Sequence, residues 1–131
     1  MQRILIVDDA PQVLSALRRV LHRHWGDALT IELFDDAALA LARSRQVRFD
    51  VVVSDLRMPG IDGLELLTLL SAVQPDSVRL MLTASADFGA AQRAVNDAAV
   101  FRYIAKPWQE AELLAHLEAA LREAGRRRAA A

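Results

Sequence analysis

The chain has 131 residues, room for one domain of ordinary size and not for a second large one. Hydrophobic residues make up 53% and charged residues 25%, which argues against wholesale disorder; 16 Lys and Arg against 17 Asp and Glu give a net charge of -1, which disfavours nucleic-acid binding by bulk charge. The absence of Cys removes disulfide scaffolds, thiolate metal sites, iron–sulfur clusters and thiol catalysis, and no apolar run approaches the ~20 residues of a membrane helix. Met1-Gln2-Arg3 leads at once into a short apolar run without a signal-peptide pattern, so a cytoplasmic location is expected.

Ile4-Leu5-Ile6-Val7 is short, apolar and β-branched, and reads as a buried strand ended by Asp8-Asp9. Pro11 suits the first turn of a helix, and Val13, Leu14, Leu17, Val20 and Leu21 recur at helical spacing over residues 11–24, before Gly26-Asp27. Leu29 to Phe34 reads as a second strand, with Asp35 or Asp36 as the cap of an Ala-rich helix carrying Ala37, Leu39, Ala40 and Leu41. Val51-Val52-Val53 is continuous rather than alternating, as in a central parallel strand covered on both faces, and ends in Ser54-Asp55.

Pro59-Gly60 marks a loop, and Asp62 with Glu65 three residues later resembles a capping box for a helix through Leu64, Leu66, Leu67 and Leu70. Val78 to Leu82 is the fourth strand, followed by Thr83; Ala86 to Asn96 is a weaker helix; Val100 to Ile104 is the fifth strand, broken by Lys106-Pro107; Trp108 to Glu123 is a last amphipathic helix. Strands alternating with helices imply an α/β fold with a parallel sheet covered on both faces. Gly125 to Ala131, with Arg126-Arg127-Arg128 and three alanines, has no core pattern and reads as a fraying helix end, or as a linker or tail leading to an output domain, after a domain of residues 1–124.

Ligands of open parallel sheets bind at the carboxyl ends of the strands. There this sequence places Asp8, Asp9, Asp55, Thr83 and Lys106. Crowded carboxylates repel, and a hard divalent cation such as Mg2+ relieves that repulsion. A lysine and a hydroxyl suit phosphoryl oxygens, and a carboxylate can itself be the nucleophile that forms an acyl phosphate. The simplest assignment makes Asp55 the phosphoryl acceptor, with Asp8 and Asp9 on the metal. Each residue also has an ordinary reading: Asp8-Asp9 as a helix cap, Asp55 as a strand-end carboxylate, Lys106 as a solvated loop lysine, Thr83 as the start of a helix. All of these would have to hold together to displace the joint reading.

Three pieces then point to a family: Ile4-Leu5-Ile6-Val7-Asp8-Asp9; Ser54-Asp55-Leu56-Arg57-Met58-Pro59-Gly60-Ile61-Asp62-Gly63; and Thr83 with Lys106-Pro107. In this order and spacing, from Arg3 to about Glu123, the chain resembles the receiver domain of bacterial two-component response regulators. The resemblance implies a single doubly wound, flavodoxin-like parallel sheet of five strands in order 2-1-3-4-5, flanked by five helices. It implies phosphorylation of Asp55 by a sensor histidine kinase or phosphotransfer protein. It places Mg2+, for which Mn2+ substitutes, directly on Asp9, Asp55 and the backbone carbonyl of Arg57, with Asp8 acting through water. Thr83 and Lys106 contact the phosphoryl group, and Tyr103 is the switch aromatic. The signal passes through the face of the fourth helix, fifth strand and fifth helix to an output domain or partner, and a homodimer through that face is a further expectation.

The side chain of Arg57, with Asp87, is a candidate for tuning the phosphoryl lifetime, and Phe101 for a partner face. The stretch from Asn96 to Trp108 is similar to receivers attached to cyclic-di-GMP phosphodiesterase domains of the HD-GYP type or to ATPase activator domains. Such a module is not a classical enzyme: it phosphorylates itself from a donor and slowly hydrolyses its own acyl phosphate. Two other readings stand beside it. One is a phosphorylation-independent interaction adaptor. The other is a Mg2+-dependent phosphohydrolase, for which a haloacid-dehalogenase-like site needs an aspartate where Arg57 stands. No direct binding of nucleic acid or membrane is expected.

Overall fold

A computed structural model of the protein describes residues 1–84, 89 and 99–130. Its strands are β1 (Gln2–Val7), β2 (Leu29–Phe34), β3 (Val51–Asp55), β4 (Val78–Ala84) and β5 (Arg102–Lys106). The described α-helices are α1 (Pro11–Trp25), α2 (Ala37–Ser44), α3 (Gly63–Val73) and a C-terminal helix (Glu110–Ala130). All strand pairs are parallel and their order is β2-β1-β3-β4-β5, as the sequence resemblance implies. The helix expected at Ala86 to Asn96, and with it Asp87, lies outside the described residues apart from Gly89.

Alternation along each strand divides the core in two. Ile4, Ile6, Val51, Val53, Leu80 and Leu82 meet Leu17 and Leu21 of α1 and Leu113 and Leu117 of the C-terminal helix. On the other face Leu5, Val7, Val52 and Met81 meet Ala40 and Leu41 of α2 and Leu66, Leu67 and Leu70 of α3. Burial on both faces explains why the central strand reads as an unbroken apolar run. The helix starts follow local chemistry. Pro11 opens α1, the Asp36 carboxylate accepts the Leu39 N–H at 3.0 Å, and the Asp62 carboxylate accepts the Glu65 N–H at 2.8 Å.

Several boundaries differ from the sequence pattern: β1 starts at Gln2, β4 runs to Ala84 and the last helix starts at Glu110. β5 begins two residues later than the apolar run, because its ladder with β4 pairs Leu80 with Arg102 and Ala84 with Lys106; Phe101 is tied instead by its N–H to the Arg79 carbonyl at 2.7 Å. The last helix continues through residues 125–130, which carry no apolar stripe.

One side chain braces the connection from α2 to β3 at three points. The Gln74 amide nitrogen donates to the carbonyls of Ser44 and Val47 at 2.6 and 2.7 Å, and its oxygen accepts the Phe49 N–H at 2.7 Å. These bonds fix the chain just before the strand that ends in Asp55.

Candidate functional site

β1 and β3 are neighbours with Val7 opposite Ser54, so the residues that follow, Asp8 and Asp55, emerge side by side at the carboxyl edge of the sheet. α1 begins from Ala10 without a side-chain cap; the Asp8 Oδ1 instead accepts the Ala10 N–H at 2.9 Å. Asp8 is completely buried and Asp55 is 7% exposed, whereas Asp9 faces solvent. One carboxylate oxygen from each of the three lies within 4.8 Å of the others.

β5 brings Lys106 across from the far edge. Its Nζ donates to Asp8 Oδ2 at 2.7 Å and lies 3.1 Å from Asp55 Oδ1. One cation therefore bridges two of three converging carboxylates and leaves an excess of negative charge. Burial above all, then the Asp8 charge, push the Asp55 carboxyl above its ordinary range; Lys106 pulls the other way, and Asp9 adds a smaller upward push. Burial opposes the charge on Lys106, but its hydrogen bonds to Asp8 and Asp55 and their charges outweigh that, and its ammonium is held above the usual value.

Thr83 is 1% exposed and lies one residue beyond Leu82, the ladder partner of Asp55. Its hydroxyl donates to the Ala84 carbonyl at 3.1 Å. Tyr103 sits on β5 opposite Met81, half-buried against the second core face, and burial pushes its phenol upward. Arg57 is exposed in the loop after β3. Phe101 packs against the first core face, with the Arg102 guanidinium 5.3 Å from its ring centre. Asp8, Asp9, Asp55 and Lys106 are thus brought together, with Thr83 on the adjoining strand end.

Two contributors carry signals that the sequence reading did not use for the site. Asp35 and Asp36, at the end of β2, line a cleft together with Asp9, Met58 and Pro59; the signal is a second Asp pair at the end of the strand next to β1. Gly63 folds the β3–α3 loop back on β3: its N–H bonds the Leu56 carbonyl at 2.9 Å, and a Cβ there would lie 1.9 Å from the Asp55 carbonyl oxygen. Only glycine allows that approach.

A parallel 2-1-3-4-5 sheet with clustered carboxylates and a lysine at its carboxyl edge defines an acidic phosphoacceptor module. Residues 4–118 match the family model of the response regulator receiver domain, and the chain belongs to that family. It is 35% identical over 121 residues to the transcriptional regulatory protein FixJ of Bradyrhizobium diazoefficiens, covering 92% of this chain and 57% of FixJ. It is 39% identical over 120 residues to the response regulator MprA of Mycobacterium ulcerans, covering 92% of this chain and 50% of MprA. The chain thus spans about half the length of these curated relatives. Among solved structures, the signal receiver domain of an HD domain-containing protein from Pseudomonas fluorescens Pf-5 superposes with a TM-score of 0.89 at 31% identity, covering 97% of this chain and 91% of that one. Family and carboxylate cluster together make the module a phosphorylation-based signalling switch. Among the described residues, no helix is long and apolar enough to cross a membrane.

Proposed function

We propose that Asp55 accepts a phosphoryl group from a phosphohistidine on a sensor histidine kinase or phosphotransfer protein in the cytoplasm. The change is relayed through the face of the fourth predicted helix, β5 and the C-terminal helix to an output domain or partner. Residues 1–124 act as the receiver and residues 125–131 as its linker. The observation that carries this reading is the Lys106 ammonium between Asp8 and Asp55, beside three carboxylates that converge within 4.8 Å.

That donor set fits a hard divalent cation: Asp8, Asp9, Asp55 and the Arg57 carbonyl would hold Mg2+, or Mn2+ in its place. Bound there, the ion supplies positive charge against the carboxylates and the phosphoryl oxygens. An Asp55 carboxylate oxygen bonds phosphorus as the P–N bond of the donor breaks, and the imidazole nitrogen leaves with the electron pair. Lys106 neutralises a phosphoryl oxygen from a position preset by Asp8. Thr83 exchanges its Ala84 acceptor for another phosphoryl oxygen, and Tyr103 turns inward behind it. A hydrogen bond to a charged group stabilises by roughly 1.5–3 kcal/mol, enough to shift two nearly balanced states but not to remake the core. The Arg57 side chain and Asp87 set the lifetime of the acyl phosphate, and Phe101 lies on the surface a partner meets.

Incubation with Mg2+ and acetyl phosphate or phosphoramidate, followed by intact-mass measurement, tests the assignment. The wild type is expected to gain one phosphoryl group and Asp55→Asn none. No gain by the wild type with either donor, or a gain that survives in Asp55→Asn, overturns it. Decay of the phosphorylated wild type and Arg57→Ala is expected to differ; equal decay removes Arg57 from the mechanism.

A further inference from the structure

A third buried carboxylate lies at the opposite edge of the sheet, where phosphoryl chemistry does not reach. Asp50 immediately precedes β3, and its side chain is 1% exposed. Its Oδ2 accepts the Arg3 N–H at 2.7 Å. Oδ1 accepts no hydrogen bond from any described residue; its one ionic neighbour among them is Arg128, whose Nη2 lies 2.9 Å away. The preceding arginine also reaches the base of the sheet: Arg127 Nη1 donates to the Ser77 carbonyl, just before β4, at 2.8 Å.

We propose that Arg127 and Arg128 form a clasp that docks residues 125–130 on the base of the sheet and fixes the direction in which the C-terminal helix leaves the domain. The segment has little else to hold it. Gly125 weakens a helix interior, and Ala129 and Ala130 offer no large apolar surface. Undocking Arg128 would take the counter-charge from a buried carboxylate, an unfavourable state that keeps the helix end in place. The two arginines contribute unequally. Arg128 faces an anion, whereas Arg127 shares the Ser77 carbonyl with a second cation, the buried Arg79, which donates to it at 2.9 Å. Arg128 is therefore the principal half. Glu123, bonded by Arg127 Nε at 2.9 Å, orients the other. The inference is independent of the phosphoryl chemistry proposed for Asp55. Any segment that continues the helix takes its direction from the sheet rather than from a free joint.

Hydrogen–deuterium exchange on the full chain, read at the amides of residues 125–130, tests the clasp. Arg128→Ala and Asp50→Asn are expected to speed exchange there about tenfold, and the double variant no more than either alone, since both remove the same pair. Amides of β1, β3 and residues 113–121 stay as in the wild type. Arg126→Ala, whose described bonds go only to Glu123, changes exchange at residues 125–130 by less than about threefold. Exchange as fast as in an unstructured peptide in the wild type, or no acceleration in Arg128→Ala, overturns the clasp. Should Asp50→Asn lose protection throughout the sheet, Arg128→Ala, a change at a surface side chain, decides alone.

Discussion

The carboxyl and amino edges of this sheet solve the same problem with different outcomes. Each buries a carboxylate against a basic side chain drawn from late in the chain: Asp8 against Lys106 at one edge, Asp50 against Arg128 at the other. At the amino edge charge is matched one to one. Asp50 has a backbone N–H on one oxygen and the charge of a guanidinium 2.9 Å from the other, which accepts no hydrogen bond, and among the described residues no second carboxylate crowds it. At the carboxyl edge one ammonium serves two buried carboxylates while a third stands within 4.8 Å, and Asp55 is driven upward as a result. The difference teaches that burial of charge alone does not mark a reactive site; unbalanced charge does.

The strongest way to break this contrast is Gly63→Ala. A Cβ 1.9 Å from the Asp55 carbonyl oxygen and 2.9 Å from the Leu56 Cα forces the backbone apart, at an expected cost of about 3 kcal/mol in urea unfolding, and displaces the Asp55 carboxylate. Next in size is Asp50→Ala, which leaves the Arg3 N–H without its acceptor and the Arg128 guanidinium without its counter-ion, and is expected to destabilise by about 2 kcal/mol.

Asp55→Asn should move stability in the opposite direction. A folded pKa above the unfolded one means that stabilisation is full at pH below the unfolded value and is lost as pH rises through the folded value, so ionised Asp55 is a burden at neutral pH. Its neutral isostere is expected to raise the thermal midpoint by roughly 2–8 °C, the change that about 1 kcal/mol brings in small domains, when measured without Mg2+. A lower midpoint would remove the argument from charge imbalance.

The smallest effect concerns Glu123, which the hydrogen bonds from Arg126 and then Arg127 hold down at about 2. Its contribution is present above the ordinary value of 4.5 and fades as pH falls toward 2. Fraying of residues 122–130, followed by far-ultraviolet circular dichroism or exchange, should therefore begin in that acidic window.

Much of the fold was legible because its signals are local. Val51 to Val53 and Ile4 to Val7 are apolar on both faces since both faces are covered, and the aspartates that end these strands mark the edge where they emerge. Asp36 and Asp62 cap the helices as their positions suggest. What escaped the reading is non-local. The placement of β5 depends on its ladder with β4 rather than on the apolar run from Val100. Nothing in the neighbourhood of Asp50 or Arg128 in sequence indicates that each is the other's partner. Gly63 looks like an ordinary helix-start residue until its distance to Asp55 is known. The Lys106 bridge was readable as a convergence of residue types; its preference for Asp8 over Asp55 as the nearer partner was not.

The Gln74 amide carries one last consequence. Its nitrogen supplies both of its hydrogens to two carbonyls and its oxygen takes the Phe49 N–H, so the α2–β3 crossover is splinted by a group that must donate and accept at once. Deamidation keeps the shape and destroys the function of that splint: a carboxylate has no hydrogens to give and sets its charge against two carbonyl oxygens. Chemical ageing at this one position would loosen the support under β3 from the end opposite Asp55, without touching any residue of the carboxylate pocket.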